Sequence, residues 1–125
     1  MTPDALFFFE KSPFCLPVYE TFEETILSLF PDASIRVQKT QITFDDPRPF
    51  VCVSLTRRKI RDPADAHLVV TLGLPYQSDS PRIWQSVEPY PNRWTHHILL
   101  RPGELDDELI SLISEAHAFS RFRKR

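Results

Sequence analysis

Leu68, Val70, Leu72 and Leu74 occupy every second position, the period at which side chains of an extended chain alternate between two faces. This stretch reads as a half-buried strand. The same period runs through Trp94, His96, Ile98 and Leu100, with Arg93, Thr95, His97 and Leu99 on the other face, and predicts a last strand over 93–100. Phe50 to Leu55 is β-rich, with Val51, Val53 and Leu55 sharing a face. Ile83 to Val87 reads as a short strand, and Glu88-Pro89-Tyr90-Pro91-Asn92 as a stiff extended connection, because each proline biases its predecessor away from helix. Between Ile35 and Phe44 the alternation changes phase: Ile35 and Val37 are odd, Ile42 and Phe44 even. Taken as one strand, that segment needs a bulge or bend near Lys39 to Gln41.

Helical periodicity brackets these strands. From Pro17 to Phe30, the residues Val18, Phe22, Ile26 and Leu29 recur at steps of three and four, which places them on one helix face. Pro17 suits the first turn and Pro31 follows the end. From about Gly103 a second stripe, Leu105, Leu109, Leu112, Ile113 and Ala116, predicts a C-terminal helix. Its acidic start (Glu104 to Glu108) and the basic tail with Arg121, Arg123, Lys124 and Arg125 suit the helix dipole. Pro3 to Phe9 reads as one short helix. Its Phe7-Phe8-Phe9 run covers more than one side and must be buried, within the domain or against a partner. Strands grouped between helices predict an α+β fold: a mainly antiparallel sheet of about five strands with the N- and C-terminal helices packed on one face.

The chain has 125 residues, which predicts a single domain over 1–125, with 1–16 as an N-terminal segment and 121–125 as a basic tail. Fifteen basic and seventeen acidic residues leave a net charge of −2, which argues against a general electrostatic grip on nucleic acid. The sequence has no apolar run long enough to span a membrane. Cys15 and Cys52 form neither a disulfide framework nor a metal knuckle, so a cytoplasmic protein with reduced thiols is expected. Gly73 and Gly103, far apart, exclude the phosphate loops and nucleophile elbows that need closely spaced glycines. No cofactor and no metal are implied.

Three stretches carry a resemblance: Val37 to Phe44, Ser80-Pro81-Arg82-Ile83, and Glu88-Pro89-Tyr90-Pro91-Asn92-Arg93-Trp94-Thr95-His96-His97. With the acidic opening of the final helix, they resemble the DUF5655 family over residues 17–120. The resemblance implies a bacterial, cytoplasmic domain of unknown function, sometimes an appendage on larger proteins. It brings no set of catalytic residues with it.

Alternation puts His96 and His97 on opposite faces, so the pair cannot share one metal ion. His96, between Trp94 and Ile98, reads as a core histidine bonded to a backbone carbonyl. His97 falls with Arg93 on the less apolar face, joined by Lys39 and Gln41 if helices cover the other side. Phe50, Cys52 and Val69 belong to that open face as well if their strands keep phase. Arg82, following a proline in a turn, anchors its loop or meets an anion through its five-donor fork. Lys39, Gln41, Arg82, Arg93 and His97 are therefore the ligand-binding candidates. The favoured reading is a small binding or interaction module whose open sheet face takes a small anion or a protein partner. The alternatives are an enzyme with His97 as general base and Lys39 or Arg93 stabilising an anion, a weak nucleic-acid binder using the sheet, and a homodimer.

Overall fold

The computed structural model describes residues 2–56 and 60–122. Arg57 to Lys59 of the charged loop and Arg123 to Arg125 of the basic tail lie outside the described residues. Among the described residues, six strands form one sheet: β1 (Ser34–Val37), β2 (Ile42–Asp45), β3 (Pro49–Ser54), β4 (Leu68–Leu74), β5 (Gln85–Tyr90) and β6 (Arg93–Leu100). Their order is β1-β2-β3-β4-β6-β5, and every neighbouring pair is antiparallel. The described residues also form three α-helices, α1 (Pro3–Phe8), α2 (Leu16–Leu29) and α3 (Asp107–Phe122), with two short 3-10 turns between α1 and α2 and a third at Pro63–Asp65. The fold is α+β, as expected, with six strands in place of about five.

The additional strand corrects the reading of the phase change. Val37 faces Ile42 and Ile35 faces Phe44 across a hairpin, closed by the Gln38 amide donating to the Gln41 carbonyl at 2.8 Å. An odd position is paired with an even one, so apolar residues on one face must change parity at the turn. No bulge is needed there. The bulge lies one hairpin later, where Asp45 faces Pro49 but Phe44 faces Val51. The extra residue is Phe50, and both Phe50 and Val51 are buried, so Phe50 joins the core and not the open face. A second correction concerns residues 88–90, which continue β5 past an irregularity between Val87 and Tyr90. The reversal is confined to Pro91 and Asn92, where Asn92 takes φ 61°, a left-handed conformation that asparagine tolerates.

Even-numbered residues of β4 and β6 build the covered face. Leu68, Val70, Leu72 and Leu74 are buried, as are His96, Ile98 and Leu100, while their odd neighbours are half-buried. Phe22 of α2 meets Phe44 edge to face at 5.5 Å, and Phe9 packs on Tyr19 at 5.0 Å. The Phe7-Phe8-Phe9 run therefore splits: Phe9 is buried, Phe8 packs against the core, and Phe7 is 71% exposed. Helix α3 begins at Asp107, later than its apolar stripe suggests, because Asp106 caps it by accepting the Leu109 amide at 3.0 Å. Gly103, at φ 78°, turns the chain before it.

The ring of His96 is fully buried, and its Nε2 accepts the Ser78 amide at 3.0 Å. Accepting that bond requires an unprotonated Nε2, and a backbone hydrogen bond with Trp94, of the kind expected, acts on the ring as well. A second aromatic knot joins the ends of the layers. His117 of α3 stacks on Phe30 at 4.3 Å and meets Phe50 edge-on, while its Nε2 lies 2.8 Å from Asp46 in the β2–β3 turn. Arg121, one turn on, reaches the same carboxylate at 3.1 Å. These two partners hold the Asp46 carboxyl below the usual range. On the opposite side of α3 the loop after β4 is laced to the helix. The Tyr76 hydroxyl donates to Glu115, Ser80 to Glu108, and Arg82 to Asp106.

Two expectations follow for stability. Burial, the largest cause for each, holds His96 and His97 below the ordinary histidine value of 6.5. The unfolded chain takes up those protons more readily, so stability is whole above the unfolded value and is lost as pH falls through the lowered ones. Thermal melts are expected to show Tm falling from about pH 7 to about pH 5, with His96→Gln reducing that slope. An unchanged slope in the variant would place the titration elsewhere. Separately, Phe50→Ala removes the ring between Phe30 and His117 and should cost about 3–5 kcal/mol. Asp46→Asn keeps its shape and should cost less, about 1–2 kcal/mol. Urea denaturation measures both, and equal losses would contradict a knot dominated by packing.

Candidate functional site

Side chains on the uncovered face form a row, one from each strand. Arg36 faces Thr43, Thr43 faces Cys52, Cys52 faces Thr71, Thr71 faces His97, and His97 faces Gln85. The row is hydrogen-bonded in part: His97 Nδ1 lies 2.9 Å from the Thr71 hydroxyl. At its far end Arg36 closes two bonds on Asp45, at 2.6 and 3.1 Å. Burial pushes the Cys52 thiol up, against a hydrogen bond with Thr71, and pushes His97 down. Both therefore favour their uncharged forms near neutral pH. Flanked by Ser54, Val69, Gly73, Thr95 and Leu99, the centre of this face is a strip without charge.

The five candidates are not brought together. His97 and Gln41 share the open face, since the Gln41 amide donates to Thr43 at 3.0 Å. Yet Thr43 and His97 stand three strands apart, or about 14 Å at the usual strand spacing. Arg93 lies four residues along β6 from His97, about 13 Å away, beside the β5–β6 turn. Neither Lys39 nor Arg93 is placed to share a substrate with His97. Arg82 is turned away from the sheet: its guanidinium bonds Asp106 at 2.5 Å, and Ser80 receives its backbone amide. It anchors its loop, through a carboxylate in place of carbonyls.

Lys39 belongs to a different constellation. It sits exposed in the β1–β2 turn and lines an open pocket of about 640 Å³. The pocket lies between α1 with the turn after it and the ends of β1 and β3. Phe7, Phe8, Val37 and Leu55 supply its apolar lining; Lys11 and Lys39 bring positive charge, Asp4 and Glu10 negative. No ion pair joins these four to one another or to any other described residue. A mostly apolar concavity of this size with a few charged groups is the usual form of a small-ligand site.

Sequence reasoning named Lys39 but missed its neighbours. Lys11 and Phe7 lie some thirty residues from Lys39, and only the docking of α1 against β1 joins them. The available signal was the Phe7-Phe8-Phe9 run, too apolar to be wholly exposed and too wide for one helix face. His117 falls within the predicted C-terminal helix and was not singled out. Its role is visible only once Asp46 and Phe50 are folded beside it. Among the described residues no group of three or more His, Cys, Asp or Glu side chains is placed to hold a metal ion, and no helix is long and apolar enough to cross a membrane.

No curated protein and no solved structure matches the chain. A family model described as "Domain of unknown function (DUF5655)" matches residues 7–120, from the first helix through most of α3. With nearly all of the fold inside that match, the chain belongs to the DUF5655 family.

Proposed function

We propose that this domain is a small binding module, and that its ligand is an anion with an apolar body held in the pocket between α1 and the β1–β2 turn. The observation that carries this reading is the pairing of an apolar lining, Phe7, Phe8, Val37 and Leu55, with two lysines that have no carboxylate partner among the described residues. Burying an aliphatic or aromatic body against that lining contributes about 25 cal/mol per Å² of apolar surface removed from water. A carboxylate or phosphate then has Lys11 or Lys39 to meet, a modestly favourable contact at the effective dielectric near a protein surface. Asp4 and Glu10 stand on the same rim and disfavour an anion with more than one charged end. The open strip from Thr43 to Gln85 offers no comparable charge, so the site moves from the sheet centre to Lys39. Cys15 and Cys52 are unpaired thiols, which supports a reducing, cytoplasmic setting for the module.

Thermal shift with three probes tests the reading: decanoate, inorganic phosphate, and a neutral alkyl maltoside. Decanoate at saturation should raise Tm by about 2–4 °C, while phosphate and the maltoside have little effect. The double variant Lys11→Gln/Lys39→Gln should lose most of the decanoate shift without losing its fold. A shift retained in full by that variant, or absent from the unaltered protein, would overturn the proposed site.

A further inference from the structure

A buried, titratable ring holds down the loop between β4 and β5. His96 is fully buried on the covered face of β6, and its Nε2 accepts the Ser78 amide at 3.0 Å. With Nε2 an acceptor, the neutral ring carries its hydrogen on Nδ1. One more proton turns Nε2 into a donor aimed at the Ser78 N–H, and two donors cannot share a bond. It also leaves a charge in the apolar row between Trp94 and Ile98. Ser78 is the point on which the loop folds back: its hydroxyl receives the Ser80 amide, and the Ser80 hydroxyl receives that of Arg82, both at 3.2 Å. The side-chain fastenings of the loop are exposed by contrast. Tyr76 to Glu115, Gln77 to Ser86, Ser80 to Glu108 and Arg82 to Asp106 all lie in contact with water, where each contributes little. The far end is pinned separately, by the Trp84 amide donating to the His97 carbonyl at 2.9 Å.

We propose that protonation of His96 releases residues 76–82 from the sheet while the strands stay paired, so that this loop is a strap opened by acid. The strands can stay because β4 and β6 pair along the whole of β4, in a ladder that does not include the loop. The groups around the ring leave the decision to His96 itself. Next to it on β6, His97 points to the open face, and its charge disfavours a second charge on His96. The residues opposite, Leu72 on β4 and Ser86 on β5, do not titrate. The loop brings Tyr76, Asp79 and Arg82, and α3 brings Asp106, Glu108 and Glu115 as loop partners. His117 of the same helix is turned to Asp46. None of these loop and helix groups is among the causes acting on His96, which burial holds below 6.5. Once the loop lifts, the ring meets water and regains its ordinary affinity for a proton. The open form therefore binds the proton more tightly than the closed one, and falling pH favours opening.

Amide hydrogen exchange, followed residue by residue by NMR from about pH 7.5 to about pH 5, reads the strap directly. After correction for intrinsic exchange, opening at Ser78 should rise about tenfold for each pH unit below the ordinary histidine value, until the lowered value is passed. Over the same range the Val70 amide, in the middle of the sheet, should keep its protection. His96→Gln puts a carboxamide oxygen where Nε2 was, an acceptor that does not titrate; Ser78 should stay protected in it at every pH. Glu108→Gln and Glu115→Gln should leave the pH step at Ser78 in place. The unaltered protein alone can overturn the proposal, by a Ser78 amide whose protection does not change with pH or is lost together with that of Val70. A step that survives in His96→Gln, or disappears in either glutamate variant, would equally overturn it by assigning the titration to another group.

Discussion

Every second side chain of β4 and β6 has to leave water at once, and the rest of the architecture answers that requirement. Leu68, Val70, Leu72 and Leu74 face Leu100, Ile98, His96 and Trp94 across the two strands. A single polar ring, His96, sits in that apolar row. Its inclusion costs desolvation, which the Ser78 amide offsets by giving Nε2 a donor. Helices α2 and α3 supply the other half of the layer through Phe22, Ile26, Leu109 and Ile113, all fully buried. Among the described residues no helix gives the opposite face such cover, and its uncharged threonines, cysteine and glycine are what a half-wet surface tolerates.

Most of this layering was legible in the sequence, because periodicity reports burial directly. Residues 68–74 and 93–100 alternate without interruption, and their strands have those same limits. Reading failed where pairing between segments decides the outcome. The switch of phase between Val37 and Ile42 has two local explanations, a bulge and a hairpin, and only the partner of each residue distinguishes them. Phe50 looked like an open-face residue because alternation was carried through a position where β3 holds one residue more than β2. Pro89 and Pro91 suggested an extended connection; Pro89 lies within edge strand β5, which accommodates proline, and Pro91 in the turn after it.

The candidate site was less legible, for a related reason. Alternation sorts residues onto faces but says nothing about distance across a sheet. Gln41 and His97 do share the open face, separated by the width of three strands. Lys39 found its setting through α1, a contact between the start of the chain and a turn some thirty residues later. For Arg82 the sequence leaves open a loop anchor or an anion contact, and the structure gives its guanidinium a partner in Asp106. Membership of the DUF5655 family agrees with the reading of the motifs and leaves the chemistry to be argued from geometry.

The loop laced along α3 has a consequence of its own. Its three fastenings, Tyr76 to Glu115, Ser80 to Glu108 and Arg82 to Asp106, run in opposite directions along loop and helix, like the stitches of a seam. All three end on exposed carboxylates, but only Arg82 to Asp106 is an ion pair, which salt screens; the other two are hydrogen bonds from neutral hydroxyls. The leucines and valines beneath are indifferent to ions. The molecule thus has two cohesions of different kinds: an oily interior that denaturants dissolve, and a polar hem of hydrogen bonds in which one stitch is loosened by brine.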